Sequence, residues 1–287
     1  MASWTNATTS DPASGLLRPA ETRRVADLRR EAPVSPVLAP FVERYWSVRW
    51  DRTGQPPFRS EVLSHPSTNL SVESGSAPRF GVAMPAVLVH GVTTRRFVVD
   101  LVGRGRVTAA KFRPGGWVAF GGRPPSGGAV VPLGAELGLD PGRLLAAVLA
   151  EDDDDVRAAV LDRALAPLAP EPAPAYLELQ ALLRRMLDDR SLVRVEQVAA
   201  LGATSTRSLQ RLFAAYVGVS PKAVLSRYRL QDAASSIDAG EVTDLAGLAA
   251  ELGWFDQAHF SREFRAVVGT TPSAYLARAR AEGDTTG

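Results

Sequence analysis

The chain has 287 residues, enough for one large core or two domains, with 45% hydrophobic and 22% charged residues and a formal net charge of +2. It has no cysteine and only three histidines, His65, His90 and His259, which excludes disulfides, thiolate metal sites and thiol nucleophiles and leaves too few ligands for a catalytic metal. No apolar run approaches the roughly 20 residues that span a bilayer, and the opening MASWTNATTSDPASG lacks the basic-then-apolar order of a signal peptide; a cytoplasmic protein without metal or cofactor, and not an enzyme, is expected.

In chain order, residues 1–32 are polar and Pro/Ala-rich and are expected to form a flexible segment with one short helix in ETRRVADLRREA. Residues 33–168 are expected to form a β-rich domain. RYWSVRW, RSEVLS, NLSVES, FGVAM, AVLVHGV, RRFVVDLV, RVTAAKF and WVAFG are short strand-like runs divided by Gly and Pro, the texture of a sandwich or barrel. If the first run is one unbroken strand, Trp46 and Trp50 share a face opposite Tyr45. GRLLAAVLA and DVRAAVLDRALAPL follow as trailing helices. The acidic run Glu151–Asp155 between them is expected to be a solvated loop and a helix N-terminus, where carboxylates suit the helix dipole. Residues 169–175 read as a Pro/Ala linker, and 176–287 as helical throughout. The fold class expected is α+β in two domains.

The helical part contains a repeat. LGATSTRSLQRLFAAYVGVSPKAVL at Leu201–Leu225 recurs as LGWFDQAHFSREFRAVVGTTPSAYL at Leu252–Leu276. A shift of 51 residues superposes Gly202 on Gly253, Arg211 on Arg262, Phe213 on Phe264, Gly218 on Gly269 and Pro221 on Pro272. Each copy has a short Ala/Leu helix, a Gly turn, an N-cap residue (Ser205, Asp256), a second helix, and a Gly before Pro opens the next helix. That order is the plan of a helix-turn-helix, with modules at about 192–220 and 243–271. In the second helix of the first copy, Leu209, Leu212, Phe213 and Tyr216 share an inner side, and Arg207, Gln210 and Arg211 lie outward. Arginine can pair with guanine, and glutamine with adenine, through two hydrogen bonds in the major groove. Trp254, Phe255, Phe260 and Phe264 are expected to fill the core of the second copy. Between Ser205 and Gln231 the charged residues are all basic, Arg207, Arg211, Lys222, Arg227 and Arg229, a local attraction for phosphates unless Arg227 and Arg229 pair with acids inside the fold.

STRSLQRLF, GVSPKAVLSRYRLQDA and DLAGLAAELGWFDQAHFSREFRAVVGTTPSAY resemble the DNA-binding domain of the AraC/XylS transcription-regulator family. The resemblance implies two helix-turn-helix modules joined by a long helix and reading successive major grooves of double-stranded DNA, about 34 Å apart. By motif position the base-reading residues would be Arg207, Gln210 and Arg211 in the first module and Gln257, Ala258, Ser261 and Arg262 in the second. Ser205, Thr206 and Lys222 would be further DNA contacts. One departure is that Gly202 stands three residues before Ser205 where the family's first module has two.

FVERYWSVRWD and GRVTAAKFRPGGWVAF resemble the β-rich, cupin-like domain that precedes such modules in a group of bacterial regulators. The resemblance implies a sensory domain. With so few histidines, its ligand would be a small organic effector in an apolar cavity, for which Trp46, Phe112 and Arg113 are the candidates. RNA polymerase is an expected partner if the protein activates transcription, and a homodimer is a further expectation. Two other classes compare poorly or differ. A repair alkyltransferase needs a cysteine thiolate, absent here. A ligand-blind DNA binder would use its N-terminal domain for oligomerisation alone.

Overall fold

A computed structural model of the chain describes residues 15–31 and 35–284; the rest of the expected flexible segment lies outside them. Among the described residues, nine strands form two antiparallel sheets. β1 (Leu16–Leu17), β4 (Phe58–Val62) and β7 (Phe97–Leu101) make a three-stranded sheet in the order β1-β4-β7. The six-stranded sheet has the order β2-β3-β8-β5-β6-β9. Its strands are β2 (Ala26–Glu31), β3 (Val42–Arg52), β5 (Asn69–Gly75), β6 (Ala86–His90), β8 (Gly103–Phe112) and β9 (Val130–Pro132).

The long strands β3 and β8 are rich in aromatic and β-branched residues, which suit a pleated surface. They pair from Arg44↔Lys111 to Arg52↔Gly103 without interruption, so Trp46, Val48 and Trp50 do share a face. Gly105 lies against the Trp50 indole, where a Cβ would overlap the ring. The opposite face of the six-stranded sheet carries Tyr45 and Thr108. It is covered by α3 (Pro141–Leu149) and α4 (Asp154–Leu165), as Tyr45 Oη donates to Asp162 and Arg157 Nε to Thr108 Oγ1 at 2.8 Å.

Four sequence expectations change here. The segment 21–32 is not one helix: α1 spans Pro19–Arg23, and Ala26–Glu31 pairs in register with β3, from Ala26↔Trp50 to Glu31↔Tyr45. The non-local ladder overrides the local helical charge pattern. WVAFG forms the short helix α2 (Gly116–Ala119), with Trp117 buried edge-on against Phe112. FGVAM has only one bridge, Arg79↔Val82. Asp153 caps α4 as expected of the acidic run, but Asp154 is buried, paired with Arg106 at 2.6 Å and Arg49 at 3.2 Å.

The helical part begins with α5 (Pro174–Asp188), two residues before the expected boundary. It continues through α6 (Val195–Leu201), α7 (Thr206–Tyr216), α8 (Pro221–Asp238), α9 (Leu245–Glu251), α10 (Gln257–Val268) and α11 (Pro272–Asp284). One apolar cluster runs from Phe41 and Phe112 through Tyr176 and Leu179 to Leu209, Phe213 and Tyr228. Tyr176 stacks on Phe41 and its hydroxyl donates to the Pro40 carbonyl at 2.7 Å. The core of the first module is therefore continuous with that of the β-rich domain.

Candidate nucleic-acid interface

Each module is a short helix, a turn and a capped second helix. Ser205 Oγ accepts from the Ser208 amide at 3.1 Å and Asp256 Oδ1 from the His259 amide at 2.6 Å, satisfying donors that the first turn of a helix leaves free. Leu209 and Phe213 are buried beneath α7, and Phe260, Phe264 and Val268 beneath α10. Arg207, Gln210 and Arg211 stand exposed on α7, and Gln257, Ala258 and Arg262 on α10. Thr206 and Ser261 are half-buried, Ser205 is exposed at its cap, and Lys222 is exposed at the start of α8. His259 is half-exposed, its Nε2 3.4 Å from Glu263.

The first turn settles the register. Gly202 has φ −86°, and Ala203, at φ +47°, takes the left-handed position that Gly253 takes at φ +78°. The modules superpose with a shift of 51 residues along α7 and α10 but 50 along α6 and α9. Phe255 was expected in the core; it is 94% exposed, whereas Trp254 is buried.

The basic run divides. Arg207, Arg211 and Lys222 face solvent. Arg227 is buried and donates to the carbonyls of Thr93 and Arg95 in the β-rich domain at 3.0 and 3.2 Å. Arg229 lies 3.7 Å over the Trp254 ring and donates to the Leu252 carbonyl. Arg227 is thus turned into the fold and meets no carboxylate in these contacts, whereas Arg229 is half-buried and lies within the field of the Glu263 carboxylate.

Between the two sheets lies a cavity of about 160 Å3. Trp46, Val48, Val62, Phe97, Val99 and Leu101 supply apolar wall, and Asn69, Glu73, Arg79, His90 and Lys111 a polar side. Trp46 Nε1 donates to Asn69 Oδ1 at 3.0 Å. Glu73 accepts from Ser71 Oγ at 2.9 Å, with His90 Nε2 at 3.0 Å and Arg79 Nε at 2.6 Å. Burial opposes the charge of Glu73, but the His90 hydrogen bond and Arg79 hold its pKa below the ordinary value. Burial likewise opposes ionisation of Glu43, yet Lys111 and Arg44 bring it down to about 2. A wider groove along β2 and β3 is open to solvent and lined by charged side chains such as Arg49, Arg104 and Arg106, so it cannot exclude water from a ligand.

Of the three cavity candidates, only Trp46 lines this space. Phe112 points the other way, because the alternation along β8 puts Lys111 towards the cavity and Phe112 among Trp117 and Phe120. Arg113 lies beyond the strand, its Nε donating to the Ala39 carbonyl at 2.8 Å. Sequence reasoning missed Asn69, Glu73, Arg79, His90 and Lys111. The odd-number alternation of β5 and of β8 was the available signal, but only pairing with the second sheet shows which face is enclosed. No cluster of metal-binding side chains and no helix long and apolar enough to cross a membrane occurs among the described residues.

Two helix-turn-helix modules joined by the 18-residue helix α8, behind a two-sheet domain, place the protein among two-domain α+β helix-turn-helix proteins. Residues 198–278 match the family described as helix-turn-helix domain, and this C-terminal domain is of AraC type; residues 30–127 match a domain of unknown function (DUF6597). An uncharacterised HTH-type transcriptional regulator of Haemophilus influenzae is 35% identical over 81 residues, 28% of this chain and 27% of the relative's own length. ToxT from Vibrio cholerae is similar in structure over 88% of this chain and 97% of its own, at 9% identity and a TM-score of 0.42. The C-terminal domain of AraT, a response regulator from Geobacillus stearothermophilus, covers 37% of this chain and 86% of its own, at 23% identity and a TM-score of 0.32.

Proposed function

We propose that the protein is a sequence-specific DNA-binding transcription regulator whose activity responds to a small organic effector in the inter-sheet cavity. The observation that carries the DNA reading is the pairing of two capped helices, α7 and α10, each presenting exposed base-pairing side chains over a buried core. The helix α8 between them is about 27 Å long at 1.5 Å per residue, a length that suits neighbouring major grooves. Arg207, Gln210 and Arg211 read one half-site and Gln257, Ala258, Ser261 and Arg262 the other, with Ser205, Thr206 and Lys222 nearer the phosphates. Selection of bound duplexes from a randomised pool tests this: two conserved blocks about one helical turn apart are expected, and no enriched sequence overturns it.

The effector reading rests on the cavity, mostly apolar with a few convergent polar groups, as small-molecule sites are. Screening full-length protein against a metabolite library by thermal shift, with Val99→Trp as the filled-cavity control, tests it. A ligand that stabilises the parent but not the variant, and that changes DNA affinity by linkage, is expected. A ligand that stabilises both equally lies elsewhere and overturns the assignment. With no ligand response at all, the ligand-blind regulator becomes the better reading.

A further inference from the structure

The two helix-turn-helix turns differ by one residue. The amides of Thr204 and Trp254 make equivalent bonds, to the carbonyls of Ala199 at 3.0 Å and Ala249 at 2.9 Å. After Thr204 the cap Ser205 follows directly; after Trp254 one more residue, Phe255, precedes the cap Asp256. That added residue is 94% exposed, whereas the next most exposed large apolar residue described, Leu177, is 48% exposed.

Both neighbours of Phe255 are fixed. Trp254 is 4% exposed, its Nε1 donates to Glu263 Oε2 at 2.8 Å, and its ring lies between the Arg229 guanidinium and Phe260. Asp256 is held by its cap bond to the His259 amide. The phenyl ring is therefore presented to solvent from a backbone anchored on either side, which lowers the entropy lost when it is covered.

The N-terminal end of a recognition helix is the part that reaches base edges. There an apolar side chain has one base-distinguishing partner, the C5-methyl group of thymine. We propose that Phe255 is a specificity-determining residue of the second module, packing on a thymine methyl at the edge of that module's half-site; this rests on the DNA reading above. The first module has no counterpart, so the contact makes the two half-sites unequal.

The test uses full-length protein and the duplex selected from a randomised pool, with each dT of the second half-site replaced in turn by dU. One position is expected where the loss of the methyl weakens wild-type binding about fourfold, the worth of one buried carbon, and leaves Phe255→Ser unaffected. Phe255→Ser should unfold at the wild-type temperature and keep the footprint of the first half-site. If Arg262→Ala weakens binding while Phe255→Ser binds like wild type, the DNA reading stands and the Phe255 proposal falls. Weakened binding by Phe255→Ser with no coupled dU position overturns the thymine assignment. If no sequence is enriched at all, both readings fall together.

Discussion

Arg96 of the β-rich domain caps the C-terminal end of α10: its Nη1 donates to the Val268 carbonyl at 2.7 Å and its amide to the Val267 carbonyl at 2.9 Å. The same guanidinium pairs with Glu61 at 2.8 Å, and Glu61 with Arg18 at 2.9 Å. The last carbonyls of a helix have no intrahelical donor and carry its negative dipole end, so a cation there is doubly favourable. Arg96→Ala is expected to cost about 1.5–3 kcal/mol, the range for a hydrogen bond made by a charged group. Urea unfolding measures the loss, and amide exchange should quicken at Arg265–Gly269. Unchanged exchange there would contradict the cap.

The cap also links cavity and module. Arg96 adjoins Phe97, which lines the cavity from β7. An effector that shifts β7 is therefore expected to change amide exchange in the last turn of α10 in wild-type protein and not in Arg96→Ala. Equal responses in the two proteins would break the link.

For base reading, Gln210→Ala and Arg211→Ala are each expected to cost about 1–3 kcal/mol on the selected duplex and to relax preference in one half-site. Arg262→Ala should act the same way about one helical turn away. Footprints and competition with single-base variants measure this, and wild-type discrimination by all three variants would remove the recognition-face assignment.

Phe213 and Phe264 are fully buried at the centres of the two modules. Truncating either to alanine is expected to cost about 3–5 kcal/mol through lost burial and the cavity left behind. Thermal unfolding of Phe264→Ala like that of wild type would show that the second module is not packed on this ring.

Burial raises the Asp238 pKa from 3.8 to about 6 although Tyr275 donates to it at 2.9 Å, and burial raises Asp232 beside Arg190 to about 6 as well. The folded state thus favours the protonated acids. This stabilisation is complete below about pH 4 and is lost as pH rises through about 6. Glu43, lowered to about 2, acts in the opposite sense and in a lower window, losing its contribution as pH falls from 4.5 towards 2. Asp238→Asn is expected to reduce the fall in stability between pH 4 and 7. Urea unfolding across that range tests it, and parallel profiles for variant and wild type would rule out Asp238 as a source.

The sequence by itself determined the helix-turn-helix pair, because its determinants are local. Ser205 and Asp256 cap helices, Gly218 and Gly269 end them, and a 3.6-residue period buries Phe213 and Phe264 while turning Arg211 and Arg262 outward. The common face of Trp46 and Trp50 was equally legible, since alternation needs only an unbroken strand. What only the tertiary structure decided depends on partners distant in the chain. Ala26–Glu31 is a strand because β3 offers it a ladder. Phe112 faces the helices because the cavity lies on the Lys111 side of β8. Arg227 is buried because the carbonyls of Thr93 and Arg95 reach it from the other domain. Phe255 is exposed for a related reason: Trp254 already fills the space over Phe260, and an extra turn residue is left with nothing to pack against. Local periodicity fixes which residues share a face, and only long-range packing fixes which face is covered.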